Sequence, residues 1–471
     1  EVTRLEHALS RKQDEKTKTL LAVDAAEARI AAVDGDVNAL PTLCLDRARD
    51  HARALMAGKR REAEGEAGWL GGIPVAIKDL ADAKGLPTSM GSPVYKDAGP
   101  APKDDIMVAR MRAAGALIIG KTNTPEFGLG SHTYNPVWGA TRNAWDPSRS
   151  AGGSSGGAAV ALTTGMMPIA DGSDMMGSLR NPAGWANIYG YRPSWGLVPS
   201  EPEGDAFLHQ LSTAGPMGRS PADVAMTLTV QAGHDPRQPH GRDLPDIAHL
   251  NADLKGKRIG WLGDWGGALP MEAGVMDTCA SALQLFEGLG CSVEQVPAPF
   301  DRDALWESWI ALRSWSVAAG SSVLYAQDKT RALLKPEAIW ELERGLALSA
   351  MDIHRASLIR SRWFEAAAAL FDKYDALVLP TAQVWPFDVD LDWPKDIAGV
   401  AMDTYHRWME VVVPVSLIGL PCLAVPAGFG SNGLPMGLQV FGRRGADRAL
   451  LELGAAWHSA ADWVQRSPDP A

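Results

Sequence analysis

Three short stretches carry side chains able to do nucleophilic chemistry. Ile73 to Lys78 reads IPVAIK, so a lysine ends a mostly apolar run. Gly152 to Gly157 reads GGSSGG around Ser154, and 24 residues later Ser178 stands in DMMGSLRNP. Each has a plain reading beside the chemical one. A lone lysine is ordinarily a solvated surface residue. GGSSGG could be a flexible linker, but it runs straight into the apolar AAVAL. As a phosphate loop it lacks the Gly-Lys-Ser/Thr ending that supplies the charged contact. Gly152-x-Ser154-x-Gly156 formally matches a nucleophile elbow, yet NAWDPSRSA precedes it where an apolar strand is needed. Ser178 follows a turn at the start of a helix-like segment. That is the place either of a helix N-cap or of converging backbone N–H groups of the kind an oxyanion needs.

The elements that must position these residues follow from patterning. Period-two alternation makes IPVAIK a strand with Ile73, Val75 and Ile77 on one face and Ala76 and Lys78 on the other. Helix-forming residues dominate from about Leu5 to Arg61, broken by Asp34-Gly35-Asp36, which reads as a turn between two surface helices. Ile106 to Ala114 reads as a helix and Ala116 to Ile119 as a strand. Ala158 to Thr164 is an Ala-rich helix before a short strand near Pro168 to Ala170. A strand–helix–strand unit runs from Lys257 to Glu294, helices fill about 300 to 375, and Ala376 to Leu379 is a further strand. Val411 to Gly430 has the length of a membrane span, but Pro414, Pro421 and Pro426 make it buried strands and turns. This alternation is α/β.

Composition narrows the function classes. The 471 residues are 46% hydrophobic and 21% charged, enough to bury a large core. A net charge of −11 with no basic block disfavours nucleic acid and anionic membranes as partners. Cys44, Cys279, Cys291 and Cys422 have neither disulfide-framework nor Cys-x-x-Cys spacing, and the ten histidines form no ligand cluster. No metal is expected. The N-terminal residues carry no apolar signal-peptide core, which makes the cytoplasm the expected location.

The order Lys78, GGSSGG, Ser178, at intervals of 76 and 24 residues, together with GIPVAIKD, GKTNTPEFG, GATRNAWDPSRSAGGSSGG, DGSDMMGSLRNP, GYRPSWGLVP and AGPMGRS, resembles the amidase signature family. The likeness is strong from about Gly71 to Thr227 and near Tyr374 to Leu453, and weak between about 245 and 370. It implies an α/β/α sandwich with a mixed, twisted central sheet. It also implies one domain over 1–471: N-terminal helices to 65, a signature core at 70–230, a variable substrate-selecting region at about 245–370, and a return to the core at 375–455.

By the same resemblance, Ser178 is the nucleophile, Ser154 the relay serine preceded by a cis peptide, and Lys78 the base. The oxyanion donors are the backbone N–H groups of Met175, Met176, Gly177 and Ser178. A free lysine titrates near about 10.4, so Lys78 must lose about three pKa units by burial to serve as a base at neutral pH. Methionine at 176, where the family usually has glycine or alanine, is expected to line the pocket. Asp174 and Arg180 fit an ion pair, Ser155 a loop brace, and Glu126 and His132 lie near the site without an assigned role.

The implied activity is hydrolysis of an amide, carbamate or ester through a Ser178 acyl-enzyme, with no cofactor. Partners are a small-molecule amide or carbamate and, at most, a second copy in a homodimer. EAIWELERG and RPSWGLVPSEPEGD stand where the amidase component of a tRNA-dependent amidotransferase is expected to have different segments. Such an amidotransferase component, a catalytically silent binding protein, and an α/β-hydrolase using Ser154 are the alternatives. Seventeen tryptophans against nine Phe and seven Tyr suggest that a subset lines an aromatic entrance to Ser178, favouring aryl or long-chain substrates.

Overall fold

The computed structural model describes residues 2–57, 68–201 and 204–468, with residues 2–18 as backbone alone. The N-terminal stretch forms α1 (Val2–Val37) and α2 (Leu45–Met56); its expected continuation to Arg61 lies outside the described residues. Asp34-Gly35-Asp36 is not a turn but the end of α1. The Asp34 carboxylate accepts from the N–H groups of Ala39 (2.7 Å) and Leu40 (3.3 Å), so the chain reverses only after the helix, where Asn38 has φ +53°.

β1 (Thr42–Leu43), β2 (Pro74–Lys78) and β3 (Leu117–Thr122) form a small sheet in the order β1-β3-β2. β2 and β3 run parallel, with α3 (Ile106–Ala113) in the connection between them. The alternation read from IPVAIK sorts β2 between two apolar clusters. Val75 and Ile77 pack with Met107, Val108 and Trp185, while Ala76 joins Val23, Ile30 and Val33 of α1. A short hairpin, β4 (Tyr134–Asn135) with β5 (Gly139–Ala140), precedes α4 (Gly156–Thr163).

The large sheet has eight strands. Its first half holds β6 (Ile169–Asp174), β7 (Tyr189–Arg192) and β8 (Thr213–Gly218), accompanied by α5 (Asn181–Ala186) and α6 (Pro221–Gln231). Next come β9 (Arg258–Trp261), α7 (Val275–Gly288) and β10 (Ser292–Gln295), the expected strand–helix–strand unit, whose two strands pair in parallel. The tryptophan-rich region is helical: α8 (Arg302–Ala326), α9 (Asp328–Arg331), α10 (Pro336–Ala347) and α11 (Ala350–Phe371). It leads into β11 (Ala376–Pro380) and a minimal hairpin of β12 (Asp396–Ile397) with β13 (Val400–Ala401). Within the apolar stretch at 411–430, Pro414 opens a short helix, α12 (Val413–Leu417), before β14 (Cys422–Phe429). β15 (Pro435–Phe441) and α13 (Asp447–Ala460) complete the order.

The strand order is β10-β9-β11-β15-β14-β7-β8-β6, parallel around β9 and antiparallel from β11 to β6. The sheet is therefore mixed, with α7 and α13 packed on β14 and α4 and α6 on β6 and β8. No helix among the described residues is long and apolar enough to cross a membrane.

β6 is an edge of the large sheet, and β2 of the small sheet lies beside it. The seam has no backbone ladder. Instead the Lys78 N–H donates to the Asp171 side chain at 3.0 Å. The GGSSGG loop and the start of α4 are pressed into this seam. A Cβ on Gly157 would lie 2.4 Å from the Asn123 nitrogen and 2.7 Å from the Ala39 oxygen, and one on Gly156 would lie 2.2 Å from Thr133 Oγ1. Close approach, rather than flexibility or phosphate binding, is what these glycines permit.

Gly→Ala in a helix ordinarily stabilises by about 0.5–1 kcal/mol, and Gly288→Ala in α7, where nothing lies within 4 Å of the new atom, is expected to do so. Gly157→Ala is expected to destabilise by about 1–3 kcal/mol or more, because the obstructing atoms are backbone. Urea unfolding of both variants checks this; equal midpoints for Gly157→Ala and the parent would refute the packing account.

Candidate active site

Lys78 ends β2 with its side chain buried, and its Nζ faces hydroxyls rather than carboxylates. It donates to Ser154 Oγ and Ser155 Oγ, each at 2.8 Å, and more weakly to Ser173 Oγ at 3.2 Å. Burial is the dominant influence and pulls the ammonium down to about 7, against the opposing pull of Asp171 and Asp174. Asp171, buried on β6, is itself pushed up to about 6 by desolvation. The neighbouring buried lysine differs. Lys121 of β3 has Asp79 Oδ1 at 3.1 Å and also holds Ala81 O and Thr88 Oγ1. Of the two lysines on paired strands, Lys78 alone has no ion-pair partner among the described residues.

The hydroxyls around Lys78 are not equivalent. Ser155 Oγ also lies 3.5 Å from the Ser173 carbonyl, which gives its proton an acceptor and leaves its lone pairs toward Nζ. Ser154 has no such second partner among the described residues and lines the cavity in front of Lys78. The peptide between Gly153 and Ser154 is cis. Ser155 is thus a direct partner of the lysine, a contact that adjacency to Ser154 in GGSSGG could have signalled. Ser173, two residues before Met175, is another.

Ser178 is 6% exposed, opens on the same cavity and lies in a turn, not at a helix N-cap. Its hydroxyl makes no hydrogen bond among the described residues, and its carbonyl accepts from the Ser155 N–H at 3.3 Å, which ties the two loops together. The turn is shaped by Asp174. One carboxylate oxygen accepts from the Gly177 N–H (2.9 Å), Arg180 Nη2 (3.0 Å) and Arg192 Nη1 (3.1 Å); the other accepts from Arg180 Nε (3.0 Å) and the Leu179 N–H (3.2 Å). Burial raises this carboxyl, but the two buried guanidinium groups outweigh it and hold Asp174 well below the usual carboxylate range. Arg180 continues to Gln439 Oε1 and Ser416 Oγ, both at 2.6 Å, and so anchors the turn to β15 and α12.

Two expectations change here. The Gly177 N–H is already taken by Asp174, so of the four expected oxyanion donors Met175, Met176 and Ser178 remain without an acceptor among the described residues. The positive φ of the turn falls on Gly177, at +80°, where a Cβ would meet Val412; Met176 carries no such φ and lines the cavity.

The cavity is about 250 Å³. Leu80, Leu129, Met175, Met176, Val317, Leu334, Leu342 and Met409 give it an aliphatic and thioether wall, with Phe127 its aromatic member. None of the seventeen tryptophans lines it, so the aromatic entrance read from composition is overturned. Trp185 stacks on Trp408 in the core, Trp363 packs on Trp265, and Trp138 donates to Ser89. Their bulk fills the interior behind the site. Glu126 and His132 also stay out of the wall. Glu126 accepts from Ser92 at 2.7 Å, and His132, drawn down to about 4 by burial, sits between Ser150 Oγ and the Val389 carbonyl. Residues 127–131, between them, line the cavity instead. Among the described residues no cluster of His, Cys, Asp and Glu could hold a metal.

A family model described as Amidase matches residues 22–451. The amidase-type component of the glutamyl-tRNA(Gln) amidotransferase of Chloroflexus aurantiacus is 34% identical over 468 residues, covering 94% of each chain. An acylamidase of Rhodococcus erythropolis is 31% identical over 455 residues, covering 93% of this chain and 91% of that one. The crystal structure of a bacterial aryl acylamidase belonging to the amidase signature enzymes superposes with a TM-score of 0.88 at 30% identity, covering 96% of this chain and 95% of that one. With the fold, the order of its motifs and these relatives in agreement, the chain belongs to the amidase signature family, enzymes that act on amide C–N bonds.

Proposed function

We propose that this chain is an amide hydrolase working through a Ser178 acyl-enzyme, with Ser154 as proton relay and Lys78 as base. The observation that carries the reading is the buried Lys78 Nζ, 2.8 Å from Ser154 Oγ and without an ion-pair partner among the described residues, behind a cavity that also exposes Ser178. Neutral Lys78 accepts the Ser154 proton as Ser154 takes the proton of Ser178, whose Oγ attacks the amide carbonyl carbon. The oxyanion forms against the backbone N–H groups of Met175, Met176 and Ser178. Collapse breaks the C–N bond, and the proton returns through Ser154 to the leaving nitrogen. Water then attacks the ester by the same route and releases the acid and free Ser178. The aliphatic and thioether wall suits apolar acyl or aryl groups, in keeping with the acylamidase relatives.

A second reading, a component of an amidotransferase, draws on the 34% identity to such proteins. Ammonia release from glutamine discriminates between the two.

Deprotonation of a group near 7 sets the sign of the pH dependence: kcat/KM rises as pH passes through about 7 and levels above it, as neutral Lys78 accumulates. Ser178→Ala and Lys78→Ala are each expected to lower kcat at least about 10³-fold, and a fluorophosphonate to label Ser178 in the parent. Labelling at Ser154, or an unaltered pH limb in Lys78→Ala, would sink the assignment.

Each buried methylene contributes about 0.8 kcal/mol, so hexanamide and aryl amides should exceed acetamide and glutamine in kcat/KM by at least about tenfold. A preference for glutamine would favour the amidotransferase reading.

A further inference from the structure

The cavity wall opposite the catalytic loops is one face of α8. Arg313, Ser316, Val317, Gly320 and Ser321, at helical spacing, all line it, with Leu334, Ala338 and Leu342 beside them. Among the described residues Arg313 is the one cation of this wall, and its side chain is 3% exposed. Nε donates to Glu341 Oε1 and Nη2 to Tyr405 Oη, both at 2.7 Å. The acceptor found by Nη1 is the Met175 sulfur at 3.3 Å, a weak one. Two of five N–H groups thus meet oxygen in a buried setting where guanidinium donors are ordinarily satisfied. The Nη1 end faces the residue that opens the oxyanion loop, three positions before Ser178.

The charge of Arg313 is already matched. Glu341 is fully buried beneath it and also accepts from Tyr405 Oη at 2.7 Å and Ser314 Oγ at 2.6 Å. A substrate carboxylate here would put a second negative charge beside Glu341 in a low-dielectric cavity. A neutral carbonyl oxygen would use the free donor without that cost.

We propose that Arg313 is a specificity-determining residue that hydrogen-bonds a second, neutral carbonyl oxygen of the substrate, so that the preferred substrates are amides or carbamates bearing a ketone, ester or amide carbonyl away from the scissile bond. The proposal rests on the hydrolase reading for its cavity and deepens it. It explains why a wall otherwise apolar keeps a buried Arg–Glu–Tyr cluster, an arrangement that packing alone would not require.

The test uses binding to the full-length Ser178→Ala protein, read by calorimetry, so that turnover is not needed. Two matched pairs place a ketone or a methylene at one position on either side of the amide: N-phenyl-5-oxohexanamide against N-phenylhexanamide, and N-(4-oxopentyl)benzamide against N-pentylbenzamide. A fifth ligand, 5-anilino-5-oxopentanoate, carries a carboxylate instead. In at least one pair the ketone is expected to bind about tenfold or more tightly than its methylene partner, as one hydrogen bond to a charged donor allows. Adding Arg313→Met with Glu341→Met removes both charges at similar volume and should bring that ratio to about one, while Arg313→Lys should keep part of it. Equal binding within both pairs, binding of none of the ligands, tighter binding of the carboxylate than of the ketone, or a ratio that survives loss of Arg313 would each overturn the proposal. Should the double variant not fold, the ratio within each pair on the Ser178→Ala protein still decides. Hydrolysis of the methylene compounds by the parent tests the hydrolase reading separately: turnover without ketone preference defeats the Arg313 assignment alone, and ketone preference in binding without turnover defeats the hydrolase alone.

Discussion

An ammonium group removed from water without a carboxylate to meet it is the constraint on which the rest of the site depends. Lys78 is held among hydroxyls, and hydroxyls stabilise a charged amine less than an ion pair does. The fold keeps negative charge close without letting it touch Nζ. Asp171 receives the backbone N–H of Lys78 rather than its side chain, and Asp174 is matched by two arginines. Had either carboxylate reached Nζ, the lysine would stay protonated at neutral pH. Lys121, one strand away and paired with Asp79, illustrates the structural alternative.

The same division of labour runs through the loops. Asp174 organises the turn before Ser178 with five donated hydrogen bonds, two from backbone and three from arginine, and it takes up Gly177 in doing so. That leaves the adjacent N–H groups pointing elsewhere than into secondary structure. On the other side, the Gly-rich loop buries its backbone against Thr133, Asn123 and Ala39, so Ser154 is set by packing of main chain on main chain. Rigid elements therefore fix both serines, while the variable helices α8 and α10 supply the far wall.

What was legible in the sequence was whatever local pattern dictates. Alternation in IPVAIK placed Lys78 opposite Val75 and Ile77, and β2 separates two cores in that way. The strand–helix–strand unit ending at β10 was readable from periodicity. What was not legible came from contacts distant along the chain. Asp-Gly-Asp resembles a turn locally, yet Asp34 caps α1 by reaching forward to Ala39 and Leu40. The tryptophans were conspicuous by number, but which surface each covers is decided by partners such as Trp408 for Trp185. Arg313 had no signal at all, since its significance lies in Glu341, Tyr405 and Met175, which only the packing of α8 brings around it.

The seam between the two sheets bears on when the chain becomes chemically competent. Lys78 comes from the small sheet, Ser173 and the turn carrying Ser178 from the edge strand of the large one, and Ser154 from the loop wedged between them. Neither sheet by itself surrounds the lysine. During synthesis or refolding, a molecule with only one sheet in place holds a hydrated, protonated lysine and ordinary serine hydroxyls. Nucleophilic power thus arises from docking, late and all at once, and an unfinished chain is spared from reacting with the amides and esters around it.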